Sequence, residues 1–441
     1  MNRLKAWILN SLYLVIYLLM TPVILYRCWF RGRPLGSFWQ RACGRVPPVA
    51  SNRHCVWLHA VSVGEVNLLE PVLEQLKTAH PESTFVISVT TATGMELAKN
   101  KYPDHACFYF PIDFSWAMQQ ALSRLSPDLI VLAELEIWPN LLRMAHGRSI
   151  PVAVMNGRLS EKSFSGYVKR KWLFQNTFKR IGQVLAQSAD DAHRFIRVGC
   201  PADRVVVTGS IKFDGALQKP NADLVETLRQ ALKLSPSDFL WVAGSTQEPE
   251  ELMVGRIWRD LVKRFPELRL VIVPRHPHRG AAILSGLGKI GVKASLRSQD
   301  RGHAVEADEI LIADTIGELK GWWQLCDAGF VGGSFGDRGG QNMLEPAACG
   351  AAVCFGPNTW NFKAIVRQML TQRVAVQVAS ERELEALVEQ WISDPEAARQ
   401  LGEAAFSMVN QSCGAVKKTC DRLGCYFPEV NELEPRQSKA A

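Results

Sequence analysis

Short apolar runs recur along this chain, each released into a turn of glycine, serine or carboxylate residues and then into an amphipathic stretch. In the first half they are 56–59, 85–89, 129–133, 152–155, 183–186 and 205–208; in the second, 240–243, 270–273, 309–312, 328–331 and 353–355. Runs this short suit strands buried on both faces, and the helical patterns between them (68–76 and 167–178 among them) predict parallel β-α-β units. A chain of 441 residues exceeds what one hydrophobic core supports, so two α/β domains are expected. A hinge is expected in 213–223, where Gly215, Pro220 and Asn221 interrupt the rhythm. In such folds ligands meet the carboxyl ends of the strands, so chemistry is sought in the residues that follow each run.

The N-terminal 27 residues stand apart. From Ala6 to Tyr26 there is no charge, a span near the ~20 residues that cross a bilayer core. Arg27, Arg31, Arg33, Arg41 and Arg45 follow it, which orients the body towards the cytoplasm. A membrane-anchor helix over 1–27 is therefore expected, in the inner (cytoplasmic) membrane. A helix lying in the interface stays open, because Asn10, Ser11, Thr21 and Pro22 dilute the apolar character; a cleaved signal peptide fits less well.

Four post-strand stretches carry candidate chemistry. In 59–65, HAVSVGE, Gly64 is expected to allow a tight turn, and Glu65 begins a helix. Glu65 suits either a general base or a partner for the helix dipole. In 133–140, AELEIWPN, Glu134 and Glu136 alternate and would share a face if the strand continued; a plain helix cap with Trp138 as packing is the competing reading. In 271–278, VIVPRHPH, Pro274 and Arg275 leave a strand end beside two histidines, a set suited to a nucleotide base or phosphate. In 330–346, five glycines precede Asn342, where a helix start would present free N–H groups to phosphate, with Glu345 one turn inside. Smaller echoes are 244–246, 314–318 and the stretch 209–212, where Lys212 could face a leaving phosphate.

Other chemistries are disfavoured. The eleven cysteines include no Cys-x-x-Cys pair, which predicts reduced, mostly structural thiols and no zinc site. Gly286, Gly288 and Gly291 match a dinucleotide fingerprint formally, but in a helix-then-strand context that reverses what pyrophosphate needs. No Walker lysine or Asp-x-Asp pair occurs, so no metal is expected. The formal charge of +8 favours phosphates or acidic lipid rather than nucleic acid. Within 158–180, seven basic residues interleave with Tyr167, Trp172, Phe174 and Phe178, either a face for an anionic membrane surface or a solvated helix face.

Together these motifs resemble the Kdo (3-deoxy-D-manno-octulosonic acid) transferases of lipopolysaccharide assembly. The match runs nearly the whole chain: HAVSVGE, ELEIWPN, Asn156 to Ser160, GSIKFD, VPRHP, DTIGEL and GGSF…GGQNMLEPA, in order. The resemblance implies a GT-B architecture, two Rossmann-like domains with an inter-domain cleft. It bounds them as anchor 1–27, acceptor-binding domain 28–215, CMP-sugar-binding domain 216–425 and polar tail 426–441. It implies an inverting, metal-independent transfer of Kdo from CMP-Kdo to a lipid A precursor, lipid IVA, with no cofactor. Carried over by position, Glu65 looks like the general base, and Glu134 and Lys212 like groups that stabilise the transition state. Pro274, Arg275, Ile316, Gly317, Glu318, Asn342, Met343, Leu344 and Glu345 look like CMP-binding positions. Gln341 and the Asn156-Gly157 pair depart from the family pattern. Two alternatives remain: a UDP-sugar-dependent enzyme of the same architecture acting on another membrane lipid, and a nucleotide-binding membrane protein without catalysis.

Overall fold

The computed structural model describes residues 10–11, 13–15, 19, 36–49, 53–217, 222–299 and 305–428. The chain divides into two units, Met1–Asp214 with Cys413–Ala441, and Gly215–Ser412.

The first unit is built on a parallel sheet of seven strands: β1 (Cys55–Ala60), β2 (Thr84–Val89), β3 (Ala106–Tyr109), β4 (Leu129–Ala133), β5 (Val152–Gly157), β6 (Gln183–Ala186) and β7 (Val205–Val207). Their order is β3-β2-β1-β4-β5-β6-β7. Alternate residues feed two cores, as the two-residue period of a strand requires. Val56, Leu58, Ala60, Ile87 and Val131 face one layer of helices. Cys55, Trp57, Val86, Ile130 and Leu132 face the other. Both layers are apolar, so the central strands read as unbroken hydrophobic runs rather than alternating ones.

The second unit repeats the plan with β8 (Phe239–Thr246), β9 (Leu268–Pro274), β10 (Ala294–Leu296), β11 (Ile310–Ile312), β12 (Ala328–Val331), β13 (Ala352–Phe355) and β14 (Val376–Gln377). Its order is β10-β11-β9-β8-β12-β13-β14, again all parallel. Trp241, Leu270 and Phe330 fill one core, while Leu240, Val271 and Leu311 fill the other. The glycines of the apparent dinucleotide fingerprint lie inside and just beyond the helix Gly280–Lys289, ahead of β10.

The second domain was expected to run to 425, and here the structure differs. The helix Ala415–Gly424 belongs to the first unit, where Ala415, Val416, Cys420 and Leu423 enter the core beside Leu69 and Val72. The Asp214 carboxylate accepts from the Gly414 and Ala415 N–H groups at 2.8 and 3.1 Å, so an anion meets the positive end of that helix. Phe427 stacks on His80 with ring centroids 4.0 Å apart. Of the expected hinge, Phe213 and Gly215 lie in the helix Ile211–Ala216; Pro220 and Asn221 lie outside the described residues.

The expected anchor also lies mostly outside the described residues, and among those described no helix is long and apolar enough to cross a membrane. Two of its residues are tied to the first unit. Asn10 donates to Ser115 Oγ at 2.7 Å, and Tyr13 donates to Asp113 Oδ2 at 3.1 Å.

The role of the returning helix is testable. Leu423→Ala should cost the first unit about 2–5 kcal/mol through the cavity left behind. Urea unfolding should show this as an earlier first-unit transition, with the second unit's transition unmoved.

Candidate active site

In each sheet the strand order reverses direction once, and the crevice at that reversal is where α/β folds bind ligands. In the first unit the reversal lies between β1 and β4. β1 ends at Ala60, and Glu65 is the third residue of the following helix, Val63–Ala79. Its carboxylate reaches back to accept from the Val61 N–H at 2.8 Å and the Ser62 hydroxyl at 3.1 Å. This variant of a capping box both starts the helix and fixes the carboxylate. The dipole-partner reading of Glu65 is therefore correct as far as it goes, and the group stays half-exposed. Burial raises its pKa, the Val61 N–H opposes the rise, and the neighbouring Glu134 adds to it. Gly64 is not needed for the turn: its φ is not positive, and a Cβ there would meet only Ser62 Oγ, at 3.9 Å. What it leaves is open space above the helix start.

Across the crevice, β4 ends at Ala133, and Glu134 takes a left-handed φ of 55°. The strand does not continue, so the alternation argument for Glu134 and Glu136 fails. The bend still brings both carboxylates into one cluster with Glu65, close enough for Glu134 to raise the proton affinity of Glu65, and for Glu65 and Glu134 to raise that of Glu136. Glu136 is pushed up to about 8, by burial first and then by Glu65 and Glu134, with the Trp138 indole offsetting part of the rise. Glu136 therefore keeps its proton at neutral pH.

Lys212 supplies the positive charge. Its Nζ lies 3.2 Å from Glu134 Oε1, in a pair with both side chains partly exposed. Such a pair contributes little stability, so its effect is to orient both groups. Lys212 is held in place by Asn156, which is fully buried at the end of β5 with a φ of 51°. Asn156 Oδ1 accepts from the Ile211 N–H at 3.1 Å, and Gln187 Nε2 donates to the Asn156 carbonyl at 2.9 Å. The stretch from Asn156 stood out only as a motif; its structural signal is a buried amide on a strand end. His59, at the end of β1, is packing: it stacks on Phe110 at 4.0 Å, contacts Ser88 Oγ at 2.9 Å, and burial drops its pKa to about 3.

In the second unit the reversal lies between β8 and β12. The glycine-rich loop after β12 is anchored by a residue the motifs did not reveal. Glu250, 1% exposed, accepts from the N–H groups of Gln247 (2.9 Å), Gly333 (2.7 Å), Ser334 (2.8 Å) and Phe335 (3.0 Å). Gly332 is obligatory here, because a Cβ would fall 2.6 Å from Thr246 Cα. Past the loop, Asn342 Oδ1 accepts from the Leu344 N–H at 3.2 Å, and its amide donates to Glu345 at 3.0 Å. The helix that follows, Leu344–Ala348, is one turn long, so a strong dipole is absent; Met343 and Leu344 point into the core. Only their backbone, with Asn342 and Glu345, remains to meet a ligand.

The other candidates of this unit follow neighbouring strands. Pro274 closes β9, and the exposed Arg275 donates its N–H to the Thr246 carbonyl at 2.9 Å. After β11, Ile316 is 90% exposed, Gly317 has φ of 92°, and Glu318 accepts from Thr315 Oγ1 at 2.5 Å with Arg297 Nε 3.5 Å away. Glu65, Glu134 and Lys212 thus converge within the first unit, and the nine CMP-binding candidates follow β9, β11 and β12 in the second, with the Met343 and Leu344 side chains turned into the core. The basic tract 158–180 forms two helices, Glu161–Lys169 and Lys171–Phe178. Tyr167 packs edge-on against Phe174 and Phe178, so of the expected aromatic face Trp172 is the member left well exposed, at 80%, with the exposed Leu173 next to it.

Residues 37–215 match the family model described as 3-deoxy-D-manno-octulosonic-acid transferase (kdotransferase). A 3-deoxy-D-manno-octulosonic acid transferase from Haemophilus influenzae is 31% identical, over 84% of this chain and 87% of its own. One from Bordetella pertussis is 30% identical, over 92% of this chain and 96% of its own. The chain belongs to the Kdo transferase family. It is accordingly a glycosyltransferase. Among solved structures, the Neisseria meningitidis UDP-GlcNAc 2-epimerase bound to UDP-GlcNAc superposes with a TM-score of 0.55 at 15% identity, covering 84% of this chain and all of that one. That likeness establishes a shared fold of two Rossmann-like domains.

The retained proton on Glu136 has a measurable consequence. Its carboxyl titrates near 4.5 when unfolded and at about 8 when folded, so between those values the folded state binds more protons. First-unit stability should therefore fall as pH rises through that window. Glu136→Gln should flatten this decline in unfolding midpoints measured from pH 5 to 8; an unchanged slope would place the proton elsewhere.

Proposed function

We propose that this Kdo transferase family member moves Kdo from CMP-Kdo onto a lipid A precursor, lipid IVA, as an inverting, metal-independent GT-B enzyme. The observation that carries the reading is the cluster of Glu65, Glu134, Glu136 and Lys212 at the β1/β4 reversal. Such a group of carboxylates around one ammonium suits a reaction in which a hydroxyl loses a proton while positive charge builds on a sugar ring.

In the proposed step, an acceptor hydroxyl attacks the anomeric carbon of Kdo from the side opposite the phosphate. Glu65 takes the hydroxyl proton as the new C–O bond forms, and the bond to the phosphate oxygen breaks with its electron pair going to CMP. One displacement inverts the anomeric centre. The raised proton affinity of Glu65 strengthens it as a base, and its fixed hydrogen bonds hold it in one orientation. Glu134 stabilises the oxocarbenium character of the ring. Lys212, paired with Glu134, is assigned to the transition state within the first unit. Arg275 and the backbone N–H groups around Asn342 in the second unit are assigned to the charge of the departing phosphate, an electrostatic role that a divalent ion fills in other transferases.

The CMP portion is assigned to the second unit's carboxyl edge, at Pro274, Arg275, 316–318 and 342–345. The N-terminal segment is assigned to the inner membrane with the body cytoplasmic, a reading supported by the arginines that follow the uncharged stretch. Anionic lipid and the exposed Trp172 fit the same setting.

Incubating the full chain with CMP-Kdo and lipid IVA, followed by mass analysis of the lipid, tests the donor and acceptor together; transfer from UDP-sugars instead would overturn the donor assignment. Glu65→Ala should lower kcat by about 100-fold or more, the usual worth of a general base, with CMP affinity unchanged. Retained turnover would remove Glu65 from that role. Turnover should also survive EDTA, and loss that is restored by added divalent ion would overturn the metal-independent step.

A further inference from the structure

On the β3 edge of the first sheet lies a cavity of about 540 Å³ that the proposed chemistry leaves unused. Four cationic side chains line it, Arg41, Arg45, Lys99 and Arg124, and no carboxylate does. Arg45, Lys99 and Arg124 are exposed and enter no ion pair among the described residues. Uncompensated charges of one sign in a concave site raise the local concentration of the opposite ion.

The cationic rim is built on a pinned backbone. The Arg41 carbonyl accepts from the Ile112 N–H at 3.0 Å, and the Ala42 carbonyl accepts from Trp116 Nε1 at 2.9 Å. Arg41 Nε donates to the Phe110 carbonyl at 2.9 Å. Gly44, with φ of 66°, crosses the helix Ser115–Leu125 so closely that a Cβ would fall 2.1 Å from the Ala117 carbonyl oxygen. Val46, 4% exposed, is buried in the core immediately after. The two arginines are thus presented by a segment held at both ends, facing Lys99 of the helix Ala92–Lys101 and Arg124 of Ser115–Leu125.

The lining is not only charged. Val46, Pro47, Met95 and Tyr109 give the cavity apolar walls. β3 lies two strands from β1, about 10 Å away at the usual strand spacing. The cavity and Glu65 belong to the same unit, the one that carries the β1/β4 crevice.

We propose that this cavity binds the phosphate ester of an amphiphilic acceptor, with the cations on the phosphate and the apolar wall against the adjoining body. As an acceptor subsite it rests on the transfer reading above; as a phosphate site it does not.

Two arms test it with the full chain. In the first, calorimetry measures octyl phosphate binding, with octyl glucoside as the neutral control. The variant Arg45→Ser/Lys99→Ser/Arg124→Ser should bind octyl phosphate about tenfold or more weakly, the scale of losing charge-assisted contacts. The charge-keeping variant Arg45→Lys/Arg124→Lys should bind nearly as the parent does, and both should unfold at the parent's urea midpoint. Equal octyl phosphate affinity in the triple variant, or equal binding of octyl glucoside by the parent, overturns the phosphate site. In the second arm, the triple variant should raise KM for a phosphorylated glycolipid acceptor while kcat and the donor KM hold. A dephosphorylated acceptor should be used equally by both forms. An unchanged acceptor KM, with weaker sedimentation on phosphatidylglycerol vesicles, overturns the acceptor assignment and gives the site to a bilayer headgroup. Absence of any transfer by the parent would sink the functional reading, and the octyl phosphate arm still decides the site.

Discussion

Both sheets are wholly parallel and covered by helices on both faces, and nearly everything else in this chain follows from that burial. A strand such as β1 or β4 offers no exposed face on which to place a polar group. Chemistry can appear only where the strands run out. The order of each sheet then selects the place, because the crossovers diverge at β1/β4 and at β8/β12 and leave a crevice between helix starts. Glu65 and Glu134 flank the first crevice, and the glycine loop after β12 flanks the second.

The same geometry explains why carboxylates recur as structural fasteners. At a strand end the backbone leaves its ladder, and several N–H groups lose their partners together. Glu250 gathers four of them, Glu65 takes one with a hydroxyl, and Asp214 takes two at the helix Ala415–Gly424. Each buried or half-buried anion is compensated by fixed donors rather than by a salt bridge, which avoids an unpaired charge in low dielectric. Glu65 is the carboxylate of this group that also faces an open crevice. Its capping role and its proposed catalytic role are therefore one arrangement: the contacts that hold it are those that begin its helix.

Much of the fold was legible because central strands must be apolar without interruption. The strands that the apolar runs did not reveal, β3, β10 and β14, are all edge strands. An edge needs less burial, so ACFY, ASL and VQ carry no continuous signal. Glu65, Glu134 and Lys212 were legible because each follows a run directly. Glu136 appeared beside them, but its raised proton affinity depends on depth and on two neighbours that sequence does not place. Glu250 escaped, and Asn156 appeared only as part of a motif with no role attached, for a related reason: their partners at 333–335 and at Ile211 are distant in sequence. Helix 415–424 was assigned to the wrong domain because a periodic apolar face does not say which core it joins.

That helix has a consequence for how the molecule is made. The first unit's core includes Leu423 and Phe427, yet the ribosome must first complete all of 215–412. At ordinary elongation rates of about 5–20 residues per second, roughly 200 intervening residues take about 10–40 s. Throughout that interval the nascent first unit shows an unfilled apolar strip along Leu69 and Val72, while the second unit can finish folding as soon as it emerges. Maturation is therefore inside-out in time: the half that begins translation is the last to close.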